Sequence, residues 1–339
     1  MPITRPPGSQ PELPTPAEYL TWQPGRLLGG GTARLSSWSL TACGSSTSIP
    51  VSSRGPDVRG GGDLPRIIDL SVPISPGGGE PLPPKIKYYN HSRGGSLLAL
   101  APAQDPRSRG RSVLRILRGL VTGKRVRKRD FPGGVGMAWE SMRTESHHGT
   151  HVDAPWHYGP TTAGQPARTI DQLPLEWFLG PGVRLDLRAK AVGTTITVAD
   201  LEQALAAAGH TLRPKDIVLI WTGADALWGQ PEYLERYCGL GAESTRWLLD
   251  RGVMVIGTDA WSLDRPPMFM GRDFLRDKDP AHLWPAHFVG REREYCQIEK
   301  LAHLGDLPAA SGFTVACFPV LIERASAGWT RAVALVPDE

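Results

Sequence analysis

The sequence predicts an α/β fold over residues 64–339, with central strands buried on both faces. Short runs of β-branched and apolar residues, such as "DIVLIWTG" and "VMVIGTDA", alternate along the chain with stretches of helical character. Such alternation of apolar strands with helices is typical of an α/β fold whose central strands are buried on both faces. The chain has 339 residues, 40% of them hydrophobic, which is enough for a large core.

The first elements of this region are two strands and a helix. "LPRIIDLSVPIS" (64–75) is strand-like and ends in turn residues. "GVRLDLR" (182–188) predicts a second strand. The following "TVADLEQALAAAGH" predicts a helix, because Thr197 can cap it, Asp200 falls at its third position and Gly209 can end it.

The remaining elements are four strands and one helix. "DIVLIWTG" (216–223) predicts a buried strand that ends at a glycine turn, and "VMVIGTDA" (253–260) predicts another. Between them, "GAESTRWLLDRG" (241–252) predicts a helix with a glycine stop. "FTVACFPVLI" (313–322) and "TRAVALV" (330–336) predict the last two strands.

Two segments depart from this alternation. Residues 1–63 are rich in Pro, Gly, Ser and Thr, which predicts a disordered leader without a catalytic role. Residues 92–135 are expected to form a basic insertion around one short amphipathic helix near "SVLRILRGLV". Within it, residues 107–129 carry ten Lys or Arg and no acid, although the net charge of the whole chain is only +4. A basic stretch can bind nucleic acid, anionic lipid or an acidic substrate, but the simplest interpretation is a solvated helix. Nucleic acid is disfavoured because no aromatic residue lies among these charges.

Composition also limits where the protein works. No run of 18 apolar residues occurs, so no membrane partner is expected. Four cysteines, without the spacing of a metal site, are scattered along the chain: Cys43, Cys238, Cys296 and Cys317. The simplest interpretation is reduced thiols in a cytoplasmic protein.

A histidine cluster is the strongest functional feature of the sequence. Four of the nine histidines lie within "HHGTHVDAPWH", together with an aspartate. His147 and His151 are four residues apart, so one helical turn, or a chain kinked at Gly149, would bring both imidazoles to one point. Asp153 points to the same side as His151 if the chain there is extended. Two imidazoles and a carboxylate suit Zn²⁺ or Mn²⁺, and a further histidine, His157, suits proton transfer.

These eleven residues fit the pattern H-x-G-T-H-x-D-x-P-x-H, and the chain resembles the metal-dependent cyclase-like hydrolases. That family includes bacterial kynurenine formamidase and isatin hydrolase. The resemblance extends from Leu64 to the C-terminus, through "IIDLSVPISPG", "IWTGAD", "IGTDAWSLDRP" and "QIEKLAHLGDLP". It implies a swivelling β/β/α single domain, and a homodimer or homotetramer.

The resemblance also implies a complete metal site with one or two Zn²⁺ or Mn²⁺ ions per chain. Five residues would bind metal: His147, His151, Asp153, His287 and Glu299. The last two, twelve residues apart, would complete a second site. Asp153 and Glu299 would bridge the two ions, and His157 would be the catalytic residue. Asp259, Ser262 and Asp264 are expected to form hydrogen bonds in the core in preference to direct catalysis.

These features predict a metal-dependent hydrolase that cleaves an amide-type C–N bond, linear or cyclic, in a small molecule. A metal-activated water would attack, with His157 as proton carrier. Alternatives stay open at this point. A lactone hydrolase, or a lyase or cyclase, would use the same metal site. A metal-stabilised binding protein would instead dock an acidic partner on residues 107–129.

Overall fold

A nine-stranded sheet forms the centre of the computed structural model, which describes residues 65–337. The predicted leader (1–63) and Cys43 lie outside the described residues, so the domain division at residue 64 stays a prediction. No helix among the described residues is long and apolar enough to cross a membrane.

The strands and helices have the following bounds. Fifteen strands lie within residues 65–337: β1 Arg66–Asp69, β2 Lys85–Tyr89, β3 Trp139–Arg143, β4 His151–Asp153, β5 Thr161–Thr162, β6 Gln165–Pro166, β7 Leu179–Asp186, β8 Thr195–Ile196, β9 Ile217–Trp221, β10 Gly239–Leu240, β11 Val255–Thr258, β12 Cys296–Glu299, β13 Phe313–Ala316, β14 Ala327–Trp329 and β15 Val333–Val336. Seven α-helices lie in the same part of the chain: α1 His91–Leu98, α2 Arg109–Thr122, α3 Pro155–Tyr158, α4 Val198–Ala208, α5 Ala242–Leu249, α6 Pro267–Asp277 and α7 Pro285–Val289.

The main sheet has a parallel centre and antiparallel flanks. Its order is β1-β15-β13-β7-β9-β11-β12-β4-β14. The neighbours from β7 to β12 are parallel. The pairs outside this centre are antiparallel. The predicted α/β fold is therefore confirmed, with a sheet that is mixed in direction.

The central strands are buried on both faces, as predicted. Along β9, Ile217 and Leu219 belong to one core cluster, whereas Val218 and Ile220 belong to the other. This alternation follows from the two-residue period of a strand. The second cluster also receives apolar side chains of α4 and α5, so these helices cover that face of the sheet.

Helix α4 begins and ends as predicted. Thr197 accepts a hydrogen bond from Asp200 N, and the Asp200 carboxylate accepts one from Thr197 N at 2.7 Å, which together form a capping box. Gly209 ends the helix in the left-handed conformation, with φ of 60°. Local sequence therefore defines both ends of α4 without help from the rest of the fold.

The predicted strand 313–322 is too long. Strand β13 ends at Ala316, and residues 317–322 form no regular element. Pro319 has no N–H to donate, so it cannot continue a ladder inside a sheet. The chain instead leaves the sheet there, and Val320 N donates to Trp329 O at 2.8 Å.

The basic insertion (92–135) lies between two strands that are separate from the main sheet. Strands β2 and β3 pair with each other in an antiparallel register from Lys85 opposite Arg143 to Tyr89 opposite Trp139. The predicted amphipathic helix is present as α2. Helix α1 was not predicted, because its two glycines, Gly94 and Gly95, suggest a flexible flank.

Gly239, at the start of β10, provides a test of packing beside the site. A Cβ at this position would lie 2.1 Å from the carbonyl carbon of Asp264, in the backbone after β11. We expect Gly239→Ala to lower the free energy of unfolding by about 1–3 kcal/mol, because neither backbone segment can move freely. Urea unfolding monitored by circular dichroism measures the change.

Gly271, inside α6, is the matched control, because no atom lies within 4 Å of its would-be Cβ. Gly271→Ala should leave stability unchanged or raise it by up to about 1 kcal/mol. Equal effects of the two substitutions would contradict the assigned contact.

Candidate metal centre

The pairing of β4 with β12 brings the predicted ligands together. In this register His151 lies opposite Glu299. The chain enters β4 through a kink at Gly149, where φ is 63°. The kink places His147 Nδ1 2.8 Å from Asp153 Oδ1. Of the two conformations predicted for this segment, the chain therefore adopts the kink and not the helical turn.

Each of the two carboxylates divides its oxygens between imidazoles. Asp153 Oδ1 lies 3.3 Å from His151 Nε2, and Oδ2 lies 4.0 Å from His287 Nε2. Glu299 Oε2 lies 3.8 Å from His151 Nε2, and Oε1 lies 3.7 Å from His287 Nε2. Two ligands of one tetrahedral ion, with bonds of about 2.1 Å, are about 3.4 Å apart. The five predicted ligands thus converge at distances that suit cations between them.

The first two histidines are oriented by hydrogen bonds at their other ring nitrogen. His151 Nδ1 lies 2.9 Å from Gly149 O, so Nδ1 carries the proton and Nε2 faces the cluster as a free lone pair. His147 Nε2 lies 3.0 Å from Ser326 Oγ, which leaves Nδ1 facing Asp153. A fixed tautomer and ring orientation are what a metal-binding histidine requires.

Asp264 orients the third histidine. His287 Nδ1 lies 2.5 Å from Asp264 Oδ2, and the same carboxylate accepts hydrogen bonds from Ala286 N and His287 N. Asp264 thereby holds the first turn of α7 and presents His287 Nε2 to the cluster. These contacts agree with the expectation that Asp264 forms hydrogen bonds in the core.

Three buried polar atoms of the cluster have no hydrogen-bond partner among the described residues. His151 Nε2 and both oxygens of Asp153 are buried without a hydrogen bond among the described residues. The short approach of His147 to Asp153 lacks hydrogen-bond geometry. A buried carboxylate without a partner costs several kcal/mol. This nitrogen and oxygen donor set therefore fits a divalent cation of the Zn²⁺ or Mn²⁺ type.

The two carboxylates have pKa values displaced in opposite directions. Burial raises the pKa of Asp153, but the imidazoles of His157, His147 and His151 outweigh it, and the pKa lies well below its usual range. Burial and the adjacent Asp153 charge raise the pKa of Glu299. Two acids forced together behave in this way because they cannot both ionise freely, and a cation between them would relieve the repulsion.

His157 lies at the exposed edge of the cluster, where one of its ring nitrogens is within 4.8 Å of ligand atoms of His147 and Asp153. Its ring centroid is 4.2 Å from that of His147 and 5.4 Å from that of His287. Desolvation by the surrounding protein, together with the neighbouring imidazoles, lowers the pKa of His157 to about 4, although Asp153 opposes the shift. The side chain is therefore neutral at pH 7 and can accept a proton.

An ion pair that the sequence analysis missed holds the loop before β4. Lys300 Nζ donates to Glu80 Oε1 at 2.6 Å and to His147 O at 2.8 Å. Gly149 N donates to Glu80 Oε1 at 3.3 Å, and Trp261 Nε1 donates to Oε2 at 3.4 Å. Both charged side chains are only 4% exposed. The pair therefore ties the backbone of the first ligand loop to the end of β12.

The backbone at Lys300 reinforces this connection. Lys300 follows Glu299 directly and has a φ of 61°, which a non-glycine residue rarely adopts. Its carbonyl accepts a hydrogen bond from Thr150 Oγ1 at 2.5 Å, and Thr150 Oγ1 accepts one from Val72 N at 2.8 Å. The sequence offers one clue, the position of Lys300 next to a predicted ligand. It offers none for Glu80, which is 220 residues away.

Known proteins match the part of the chain that contains the histidine cluster. The Cyclase family model, described as "Putative cyclase", matches residues 68–265, a range that ends before His287 and Glu299. Kynurenine formamidase of Bordetella petrii is 30% identical over 192 residues, which are 57% of this chain and 78% of that protein. Kynurenine formamidase of Paracidovorax citrulli is 29% identical over 205 residues, which are 58% of this chain and 79% of that protein.

A solved structure has the same fold. Isatin hydrolase A from Ralstonia solanacearum matches with a TM-score of 0.58 at 22% identity, over 80% of this chain and 92% of that one. At this identity the likeness concerns the fold, and it confirms the fold type that the sequence resemblance implied.

The Glu80–Lys300 ion pair can be tested with a double-mutant cycle. Glu80→Gln and Lys300→Met should each lower the free energy of unfolding of the metal-free protein by about 3–5 kcal/mol, because each leaves one buried charge unpaired. The double variant Glu80→Gln/Lys300→Met should recover most of that loss, because no buried charge remains. Urea unfolding in a chelator provides the four values, and additive losses would show that the two charges do not interact.

Proposed function

Because the chain belongs to the cyclase family, we propose that it is a metal-dependent hydrolase that cleaves an amide-type C–N bond in a small molecule. The observation that carries the proposal is the buried cluster of imidazoles and carboxylates, in which His151 Nε2 and both oxygens of Asp153 lack a hydrogen-bond partner among the described residues. The names of the relatives support the bond type, because kynurenine formamidase acts on a linear formamide and isatin hydrolase on a cyclic amide.

Five side chains would hold the cation or cations: His147, His151, Asp153, His287 and Glu299. A bound divalent ion supplies Lewis acidity, which lowers the pKa of a water molecule and polarises a carbonyl group. The division of carboxylate oxygens between His151 and His287 supports a bridging role for Asp153 and Glu299 and room for two ions. Zn²⁺ and Mn²⁺ both suit this donor set.

His157 would move the proton in this reaction. As a neutral imidazole it accepts a proton from the water that attacks the carbonyl carbon. When the C–N bond breaks, His157 returns this proton to the leaving nitrogen. The water oxygen stays on the carbon, so the products are a carboxylic acid and an amine, and the protein ends as it began. The partly exposed position of His157 leaves it accessible to substrate.

We propose that the enzyme is a homodimer or homotetramer, as the family resemblance implies. We also propose that it works in the cytoplasm. The scattered cysteines support a reducing compartment, since Cys238, Cys296 and Cys317 are free and buried. Burial raises the pKa of the Cys238 thiol to about 12, so this thiol is inert. No further cofactor is needed for hydrolysis.

Asp264 provides a test of metal binding that does not depend on a substrate. We expect Asp264→Asn to weaken Zn²⁺ affinity by about 10–100-fold, because His287 loses the carboxylate that fixes its ring. Competition with a chromogenic chelator measures the affinity. Asp216→Asn is the matched control, because Asp216 holds His210 at 2.8 Å in the same kind of pair outside the cluster. An equal loss in both variants would indicate a general effect on folding.

Substitutions of His157 and His151 should distinguish the loss of proton transfer from the loss of metal binding. His157→Gln should keep the metal content and lower kcat by about 10²–10⁴-fold, because only the proton carrier is removed. His151→Ala should lose metal. Metal analysis and assays on N-formylkynurenine and isatin, with product mass by mass spectrometry, distinguish the two. Hydrolysis adds one water to the total mass of the products. A product whose mass is lower than that of the substrate by one water would contradict hydrolysis.

A further inference from the structure

Helix α2 presents an apolar face to solvent. Five of its apolar side chains are about half exposed or more: Val113 (55%), Leu114 (66%), Leu117 (52%), Leu120 (47%) and Val121 (88%). At 100° per residue they cover an arc of about 120° on the helix. Single apolar residues scattered over a surface are common, but five large apolar side chains on one exposed face form a patch that needs an explanation.

The opposite side of α2 packs against the rest of the protein, and the residues on that side are small. Gly119 is buried, and its would-be Cβ lies 3.2 Å from Lys124 O, in the segment that follows the helix. Ser112, one to two turns earlier on the same face, bonds to Asp105. Arg111 and Arg118 lie between these two faces. Arg115 instead contacts Gln104 O and Asp105 on the protein-facing side. The helix therefore has an outward apolar face with a border of arginines.

The charge around this face is uniformly positive. Residues 107–129 contain ten Lys or Arg and no acid. Within the part of the chain that the structure describes, only Arg115 among them forms an ion pair, with Asp105 at 3.0 Å. An amphipathic helix with apolar side chains on one face and arginines beside them has the composition of helices that lie in a membrane interface.

We propose that α2 and the basic residues around it dock on a membrane surface that carries anionic lipid headgroups. The apolar face would enter the boundary between headgroups and acyl chains, while the arginines would contact lipid phosphates. This departs from the expectation of no membrane partner, which rests on the absence of a spanning segment. A helix parallel to the surface needs no such segment.

Two other occupants fit the surface less well. A second copy, paired symmetrically through α2, would bring two sets of arginines together, and their repulsion opposes the contact. A nucleic acid would use the positive charge but not the apolar face, and no aromatic residue lies within 107–129 to stack on a base. An anionic bilayer uses both properties at once.

Helix α2 is separate from the metal centre, because none of its residues belongs to that cluster. The proposal is therefore independent of the proposed reaction.

Co-sedimentation of the full chain with vesicles tests the proposal. We expect binding to vesicles of phosphatidylcholine with phosphatidylglycerol, little binding to phosphatidylcholine alone, and a loss of binding as salt increases. Leu117→Gln/Val121→Gln should weaken binding by about tenfold or more while the charge is unchanged. Arg111→Gln/Arg118→Gln should weaken it specifically for the anionic vesicles.

Matched controls come from surfaces elsewhere on the chain. Met268→Gln/Leu275→Gln removes two exposed apolar side chains of α6, and Arg213→Gln/Arg236→Gln removes two exposed arginines. Both should bind vesicles like wild type. Circular dichroism checks that each variant keeps its helix content.

Several results would overturn the proposal. Equal binding to both kinds of vesicle, or no binding to either, would do so. So would wild-type dimers, seen by light scattering, that Leu117→Gln/Val121→Gln dissolves without any vesicle binding, because a second copy would then cover the face. Binding of single-stranded RNA that the arginine variant abolishes, without vesicle binding, would assign the surface to nucleic acid.

Discussion

The antiparallel pairing of β4 with β12 is the constraint on which the rest of the site depends. It joins the parallel centre of the sheet to its antiparallel edge and places His151 opposite Glu299. A shift of one residue would turn Asp153 or Glu299 to the other face of the sheet, because side chains alternate along a strand. The cluster is therefore a consequence of register, and the two apolar cores on either side of the sheet hold that register.

Two pairs of charged groups lie close together in this region. One is the Glu80–Lys300 ion pair, and the other consists of the two carboxylates of Asp153 and Glu299. The Lys300 ammonium is bound to Glu80 and to His147 O, so it does not pair with the carboxylates of Asp153 and Glu299. Imidazoles lie beside both acids. Both oxygens of Asp153 lack a hydrogen bond among the described residues, whereas Glu299 Oε1 accepts one from Leu263 N at 3.0 Å. Glu80 therefore has two effects: it satisfies Lys300, and it leaves the cluster open to an external cation.

Sequence patterns were sufficient where the determinant is local. The capping box of α4, the alternation of β9 and the spacing within "HHGTHVDAPWH" each depend on residues within one element. His287 and Glu299 were reached only through the family resemblance, because their approach to Asp153 depends on the order of strands in the sheet. Glu80 had no signal at all, since a buried ion pair across 220 residues leaves no local pattern. The strand predicted over residues 313–322 is too long because its apolar residues continue to the end of that range, whereas Pro319 has no N–H to donate to a ladder.

Periodicity predicts that a helix has two faces, but not which face meets the protein. In α4, the apolar residues Leu201, Ala204 and Leu205 are buried against the sheet, as the simplest interpretation expects. In α2, Gly119 is the buried residue, and the large apolar side chains point outward. The apolar face of α2 therefore contributes little to the stability of the fold, whereas that of α4 is part of the core. Packing among the described residues does not account for the apolar composition of α2, and the proposed anionic bilayer would use both this face and the arginines around it.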